Sequence, residues 1–174
     1  MRIAIVGGGV MGSSIAYHLA SRDDFRGEVT VIEREPSYHR ASSALSASSI
    51  REQFTTPINI AMSQFGLQFL RSAEVALAVD GQAPELSLRL PGYLFLATEA
   101  GLPVLHSNHA VHIANGADVA LLSCEVLNRR FPWMSTDGLA AGSLGLSREG
   151  SFNGPALLAA FRRKATALGV TYIA

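Results

Sequence analysis

The chain has 174 residues, and its 14 basic and 14 acidic side chains leave a formal net charge of zero. Hydrophobic residues at 48% and charged residues at 16% support a buried core and exclude a disordered chain. There is no basic block for nucleic acid or a membrane surface, no run of about 18 apolar residues to span a bilayer, and only Cys124, which excludes a disulfide framework.

Ile3, Ile5 and Val6 form a short apolar, β-branched run that reads as a buried strand. The run reaches Gly7-Gly8-Gly9 too soon for a signal peptide. With the single cysteine, this points to a reducing, cytoplasmic compartment. Gly7, Gly9 and Gly12 have the spacing G-x-G-x-x-G. A helical pattern follows, with Met11, Ile15, Leu19 and Ala16 expected on its inner face. Val29, Val31 and Ile32 form a second strand ending at Glu33, which completes a βαβ unit of about thirty residues.

In this context each residue type has a task. Gly7 permits the tight turn, Gly9 leaves room for a pyrophosphate, and Gly12 lets helix and strand pack closely. Val10 and Met11 open the helix, where unpaired N–H groups at the positive dipole end suit a diphosphate. Glu33 lies about twenty residues on, where its carboxylate can accept hydrogen bonds from a ribose 2′-hydroxyl and repel a 2′-phosphate. The expected ligand is therefore FAD or NAD rather than NADP.

Gly7-Gly8-Gly9, Gly12, Ala16, Leu19 and Glu33-Arg34 resemble the GGG-x-x-G-x-x-x-A-x-x-L…E-R pattern of FAD-dependent oxidoreductases. More narrowly, they resemble the superfamily of D-amino-acid oxidase, sarcosine oxidase and glycine oxidase. The resemblance implies FAD as cofactor and an amine or amino acid as small-molecule substrate. It also implies an α/β fold: a Rossmann-like FAD-binding domain with an inserted antiparallel β substrate-domain segment. It places residues 1–82 in the first part of the FAD domain, 83–150 in the substrate segment and 151–174 in the return to the FAD domain.

Beyond Pro36 comes a serine-rich stretch, residues 41–51. Read alone, it is a flexible connector. The resemblance implies that it runs under the flavin and its diphosphate, with Ser42, Ser43, Ser49 and Ile50 as contacts. Arg51-Glu52-Gln53-Phe54 resembles the sequence of an amine-oxidising subgroup. Arg51 is then either a surface arginine or a cation beside the flavin ring that stabilises its reduced form.

Thr56-Pro57 reads as a helix start, and Ile58, Met62, Phe65, Phe69, Ala73 and Ala76 recur at helical spacing as an expected core stripe. Leu86, Leu88 and Leu90, then Pro91-Gly92, then Tyr93 to Ala97 read as a β-hairpin. Leu102 to Ala114 reads as a helix whose His106, His109 and His112 share no tight face, giving a solvated surface and no metal site. Ser123 caps a short helix to Arg130, and Leu139 to Leu146 reads as a strand. Asn153 or Gly154 caps a helix carrying Leu157, Leu158, Phe161, Ala165 and Leu168, and Val170 to Ile173 opens another strand.

The resemblance covers the first half of a family member, so the chain reads as truncated and inactive alone. No catalytic acid or base can be named within it. Two other readings remain open at this point: an NAD-dependent dehydrogenase, and a nucleotide-binding fragment without turnover.

Overall fold

The computed structural model describes all 174 residues. They group into two compact units, one of residues 1–48, 70–88 and 152–174 and the other of residues 49–69 and 89–151.

The first unit is built on a parallel sheet. Strand β1 (Arg2–Val6) is followed by helix α1 (Val10–Ala20) and strand β2 (Glu28–Ile32). β1 and β2 run parallel, with Ile3 opposite Val29 and Ile5 opposite Val31. Strand β8 (Thr171–Ile173) adds in parallel to the other side of β2, giving the order β1-β2-β8. Parallel neighbours need a crossover, and helix α5 (Gly154–Ala167) precedes β8 as α1 precedes β2. Asn153 caps α5, its side chain accepting the Ala156 N–H at 3.0 Å, and Gly169 ends it at φ +92°. The Tyr17 ring of α1 meets the Phe161 ring of α5 at 5.6 Å. Val29, Val31, Ala16, Phe161 and Ala165 are buried in this core.

The inner face of α1 differs from the expectation. Met11 is 74% exposed and Ile15 48%, while the buried residues are Gly12, Ser13, Ala16 and Tyr17. The helix lies so close to the turn after β1 that a Cβ on Gly12 would overlap the Gly7 carbonyl oxygen. Only small side chains fit at that contact, so Met11 and Ile15 are turned outward, while Tyr17 is buried against α5.

In the second unit, β4 (Tyr93–Ala97), β5 (Val119–Ser123) and β6 (Ala141–Gly145) form an antiparallel sheet in the order β4-β6-β5. Helix α3 (Leu102–Ala114) follows a 3-10 turn at Glu99–Gly101, and helix α4 (Cys124–Arg130) is capped by the Ser123 hydroxyl, which accepts the Val126 N–H at 3.3 Å. Leu122, Leu127 and Leu144 form one core cluster. A short strand β3 (Ser49–Ile50) pairs antiparallel with β7 (Gly150–Ser151).

The expected hairpin over 86–97 does not form. Ser87 adopts φ +48°, which breaks an extended run. Arg89 instead exchanges two backbone hydrogen bonds with Ser151, each 2.9 Å. Helix α2 (Pro57–Ala76) forms as expected, and Ala73 of the expected stripe is buried, but the first half of that stripe faces solvent. Ile58, Met62 and Phe65 are 67%, 63% and 64% exposed, whereas Ile60 and Leu67 are buried. The helix carries two apolar stripes, and the one through Ile60 packs against Ala117 and Val119. The histidine face of α3 is also only partly solvated: His106 is exposed, but His112 is 4% exposed. No helix is long and apolar enough to cross a membrane.

Candidate functional site

The C-terminal ends of β1 and β2 open into a cleft of about 1040 Å³ within the first unit. Gly7, Gly9, Val10, Met11, Gly12, Glu33, Arg34, Ser42 and Ser43 all line it. A crevice outside the carboxyl ends of parallel strands is where open α/β sheets bind ligands.

Three glycines differ in what they make possible. Gly7 turns the chain at φ +95°, a conformation that disfavours any side chain. A Cβ on Gly9 would meet no protein atom within 4 Å, so it would project into the open cleft. Gly12 admits no Cβ because the Gly7 backbone fills that space. The first turn of α1 itself carries no acidic residue, which leaves its N–H groups and the positive end of its dipole facing the cleft. Arg34 and Arg40 add cations to the lining, and the buried Ser43 hydroxyl has no hydrogen-bond partner within the protein. An orphaned donor in a cleft lined this way fits an anionic ligand that supplies the acceptor.

Glu33 is held in place by backbone. Its Oε2 accepts the Gly8 N–H at 2.7 Å and its Oε1 the Glu35 N–H at 2.9 Å. Each oxygen retains a lone pair, so the carboxylate can still accept from two vicinal hydroxyls. Gly8 is thus a site residue that the spacing argument passed over. Its N–H orients Glu33, its carbonyl accepts the Ser13 hydroxyl at 2.7 Å, and a Cβ there would come within 2.8 Å of the Tyr38 hydroxyl. The triple glycine was the available signal.

Ile5, Val6, Ile15 and Tyr38 also line the cleft without having been expected there. Tyr38 stands in the left-handed region at φ +59°, and the Arg162 guanidinium stacks on its ring at 4.4 Å. Burial pushes the Tyr38 hydroxyl pKa up; the Arg162 charge opposes that shift.

Ser49, Ile50 and Arg51 fall in the second unit. Ser49 and Ile50 form β3, with Ile50 buried. Arg51 faces three rings, its guanidinium carbon 4.9 Å from the Phe54 centroid, 5.5 Å from Tyr93 and 5.9 Å from Phe95. Its Nε is buried without a hydrogen-bond partner, and the two ion pairs of the structure, Arg22–Asp24 and Arg148–Glu52, do not include it. The half-buried guanidinium is therefore a cation free of an acidic partner.

The segment after Arg51 is anchored by Glu149, which is 1% exposed. Burial pushes the Glu149 carboxyl pKa up, while hydrogen bonds from Gln53 and from two backbone N–H groups pull it down. In helix α3, burial pushes the His112 pKa down, against the Phe54 carbonyl, which raises it. No three His, Cys, Asp or Glu side chains gather as metal ligands.

A family model of FAD dependent oxidoreductases matches residues 2–174. The chain is 47% identical over 171 residues to "FAD-dependent oxidoreductase domain-containing protein 1" of Xenopus laevis, covering 97% of this chain and 34% of that protein. It is 42% identical over 173 residues to the protein of that name in Bos taurus, covering 98% and 36%. The chain thus spans about a third of the length of these curated relatives. In fold it is similar to L-proline dehydrogenase from P. horikoshii, with a TM-score of 0.80 at 23% identity over 99% of this chain and 43% of that one. It is also similar to glycine oxidase from Geobacillus kaustophilus, with a TM-score of 0.78 at 24% identity over 99% and 46%. With the match running from Arg2 to Ala174 and the glycine turn and Glu33 framing one cleft, the chain belongs to the family of FAD-dependent oxidoreductases.

Proposed function

We propose that this chain holds the ADP half of FAD in the cleft of its first unit and serves an enzyme that oxidises an amine or amino acid. The observation that carries the cofactor reading is the joint lining of one cleft by the glycine turn, the N-terminus of α1, Glu33 and the unpartnered Ser43 hydroxyl. The diphosphate would lie at the N–H groups of Val10, Met11 and Gly12, with Arg34 and Arg40 as counter-charges. Glu33 would accept the ribose hydroxyls, its angle held by Gly8 and Glu35. The Ser42–Ser43 segment would complete the diphosphate contacts.

FAD, when bound, supplies the acceptor for the hydride that leaves the carbon bearing the nitrogen; the resulting imine is then hydrolysed by water. Arg51 would present its unpaired charge to the flavin ring and favour its reduced form, the aromatic walls keeping water from screening that charge. The substrate class is supported by the Arg51-Glu52-Gln53-Phe54 sequence and by fold neighbours named for glycine and L-proline. Turnover would need more than these 174 residues, because relatives are about three times as long and β1 has a sheet partner on one side only.

The test is oxygen uptake, alongside reduction of an artificial electron acceptor, by the FAD-loaded holoenzyme with sarcosine, glycine and D-amino acids. Turnover of at least one is expected. A stoichiometrically FAD-loaded protein that oxidises none of them would refute the substrate class.

A further inference from the structure

A closed polar cluster lies beside Arg51 in the second unit. Glu149 Oε1 accepts the backbone N–H of Glu52 at 2.6 Å and that of Gln53 at 3.1 Å. Glu149 Oε2 accepts the Gln53 side-chain amide at 2.7 Å. The same amide donates to the Tyr93 carbonyl at 2.8 Å, and its oxygen accepts the Ser143 hydroxyl at 2.6 Å. Every polar atom of the Gln53 side chain is satisfied, as is each oxygen of a carboxylate that is 1% exposed.

This arrangement is expensive as a stability device. Burying a carboxylate costs several kcal/mol, and an apolar filling of the same volume is often no less stable. It requires a sequence concession too: Gly145 of β6 has no side chain, and a Cβ there would overlap the Glu149 carboxylate. What the cluster fixes is a geometry. It pins the two residues following Arg51, and through Gln53 it ties them to Tyr93, whose ring walls the Arg51 guanidinium. The same Arg51–Glu52 peptide is held at its other end, where the Ser63 hydroxyl donates to the Arg51 carbonyl. The guanidinium itself has only aromatic neighbours to orient it. The hold on Arg51 therefore comes through its backbone, with β3 paired to β7 before it, Ser63 on its carbonyl, and Glu149 fixing the two residues that follow.

We infer that Glu149 is a positioning residue for Arg51, holding residues 51–53 against β4 so that the unpaired guanidinium keeps one direction. The inference rests on the reading of Arg51 as a flavin-side cation. A glutamine at 149 could not replace the carboxylate, since its NH2 group would face donors from Gln53 or from the backbone.

The test uses Glu149→Gln, Gly145→Ala and Arg51→Met in the FAD-loaded holoenzyme. Gly145→Ala displaces the carboxylate while keeping every charge, so it carries the test should Glu149→Gln fail to fold. Two quantities are read: the two-electron potential of the bound FAD, and nitrogen-15 relaxation of the Arg51 Nε–H. Expected are a lower potential in Arg51→Met, a shift of the same sign in the other two, no added shift when either is combined with Arg51→Met, and a mobile Arg51 side chain in both. Folded Glu149→Gln and Gly145→Ala proteins with unchanged potential and unchanged Arg51 relaxation would overturn the inference and leave Glu149 a structural brace. An unchanged potential in Arg51→Met would overturn the flavin-side role of Arg51 instead, and the relaxation measurement still reads the hold of Glu149 on it.

Discussion

Gly9 and Gly12 belong to one motif, yet substitution at each should fail in a different way. A Cβ on Gly9 meets nothing within 4 Å, and its backbone is extended at φ −60°, ψ −174°, open to any residue. Gly9→Val loses about 0.5–1 kcal/mol as a poorer helix cap and regains about 0.4–1 kcal/mol from a less flexible unfolded chain. Its melting temperature should stay within about 4 °C of the parent at roughly 2–4 °C per kcal/mol for a chain of this size. FAD binding should vanish, because the isopropyl group fills the diphosphate space. A Cβ on Gly12 overlaps the Gly7 carbonyl oxygen and lies 3.1 Å from its carbon, so backbone must move. Overpacking of that kind costs about 3 kcal/mol, and alanine returns about 1 kcal/mol in helix propensity. Gly12→Ala should therefore melt about 4–8 °C lower even without FAD. Thermal unfolding by circular dichroism without FAD, paired with FAD titration by fluorescence, checks both. A Gly12→Ala protein as stable as the parent, or a Gly9→Val protein that keeps FAD, would refute the assignment of roles.

Glu33→Ala should weaken FAD binding by about 1–3 kcal/mol, roughly 5- to 150-fold, through loss of a charged acceptor; isothermal titration checks this, and unchanged affinity with an intact fold counts against the ribose contact. His112 has a lowered pKa in the fold, so its contribution to stability is present above its unfolded value near 6.5 and is lost as pH falls below it. The pH dependence of the melting temperature should accordingly flatten below about pH 6.5 in His112→Asn relative to the parent, and parallel curves would sink that attribution. Glutamine at both Ile58 and Phe65, which are exposed on α2, should lower light scattering by the concentrated chain without shifting its melting temperature by more than about 0.5 kcal/mol equivalent.

What could be read from sequence was local. The βαβ unit is contiguous, its glycines act on their own neighbours, and Glu33 reaches Gly8 across one strand pair, so spacing sufficed to gather six residues of the cleft, while Arg34, Ser42 and Ser43 follow only from the family resemblance. Caps were legible for the same reason, since Ser123 and Asn153 bond three residues on. The pairings β3 with β7 and β5 with β6 were not, because each joins segments whose partners have no local signature. Periodicity establishes α2, but not that its expected core stripe turns inward only from Phe69 and Ala73 onward while Ile58, Met62 and Phe65 face solvent. Glu149 was passed over as part of a loop leading to α5, since its partners at Glu52 and Gln53 lie nearly a hundred residues earlier. Tyr38 had no signal at all, as its place depends on an Arg162 that arrives from α5.

The central claim is that the glycine turn, the α1 N-terminus and Glu33 form the cradle of FAD. Amide chemical shifts of the isotope-labelled chain during titration with FAD test it most directly, and they register even weak binding. The account predicts progressive shifts largest at Gly7–Gly12, Glu33–Glu35 and Ser42–Ser43, smaller with NADP and absent in Gly9→Val. Shifts centred elsewhere, or shifts of the same size in Gly9→Val, would contradict it.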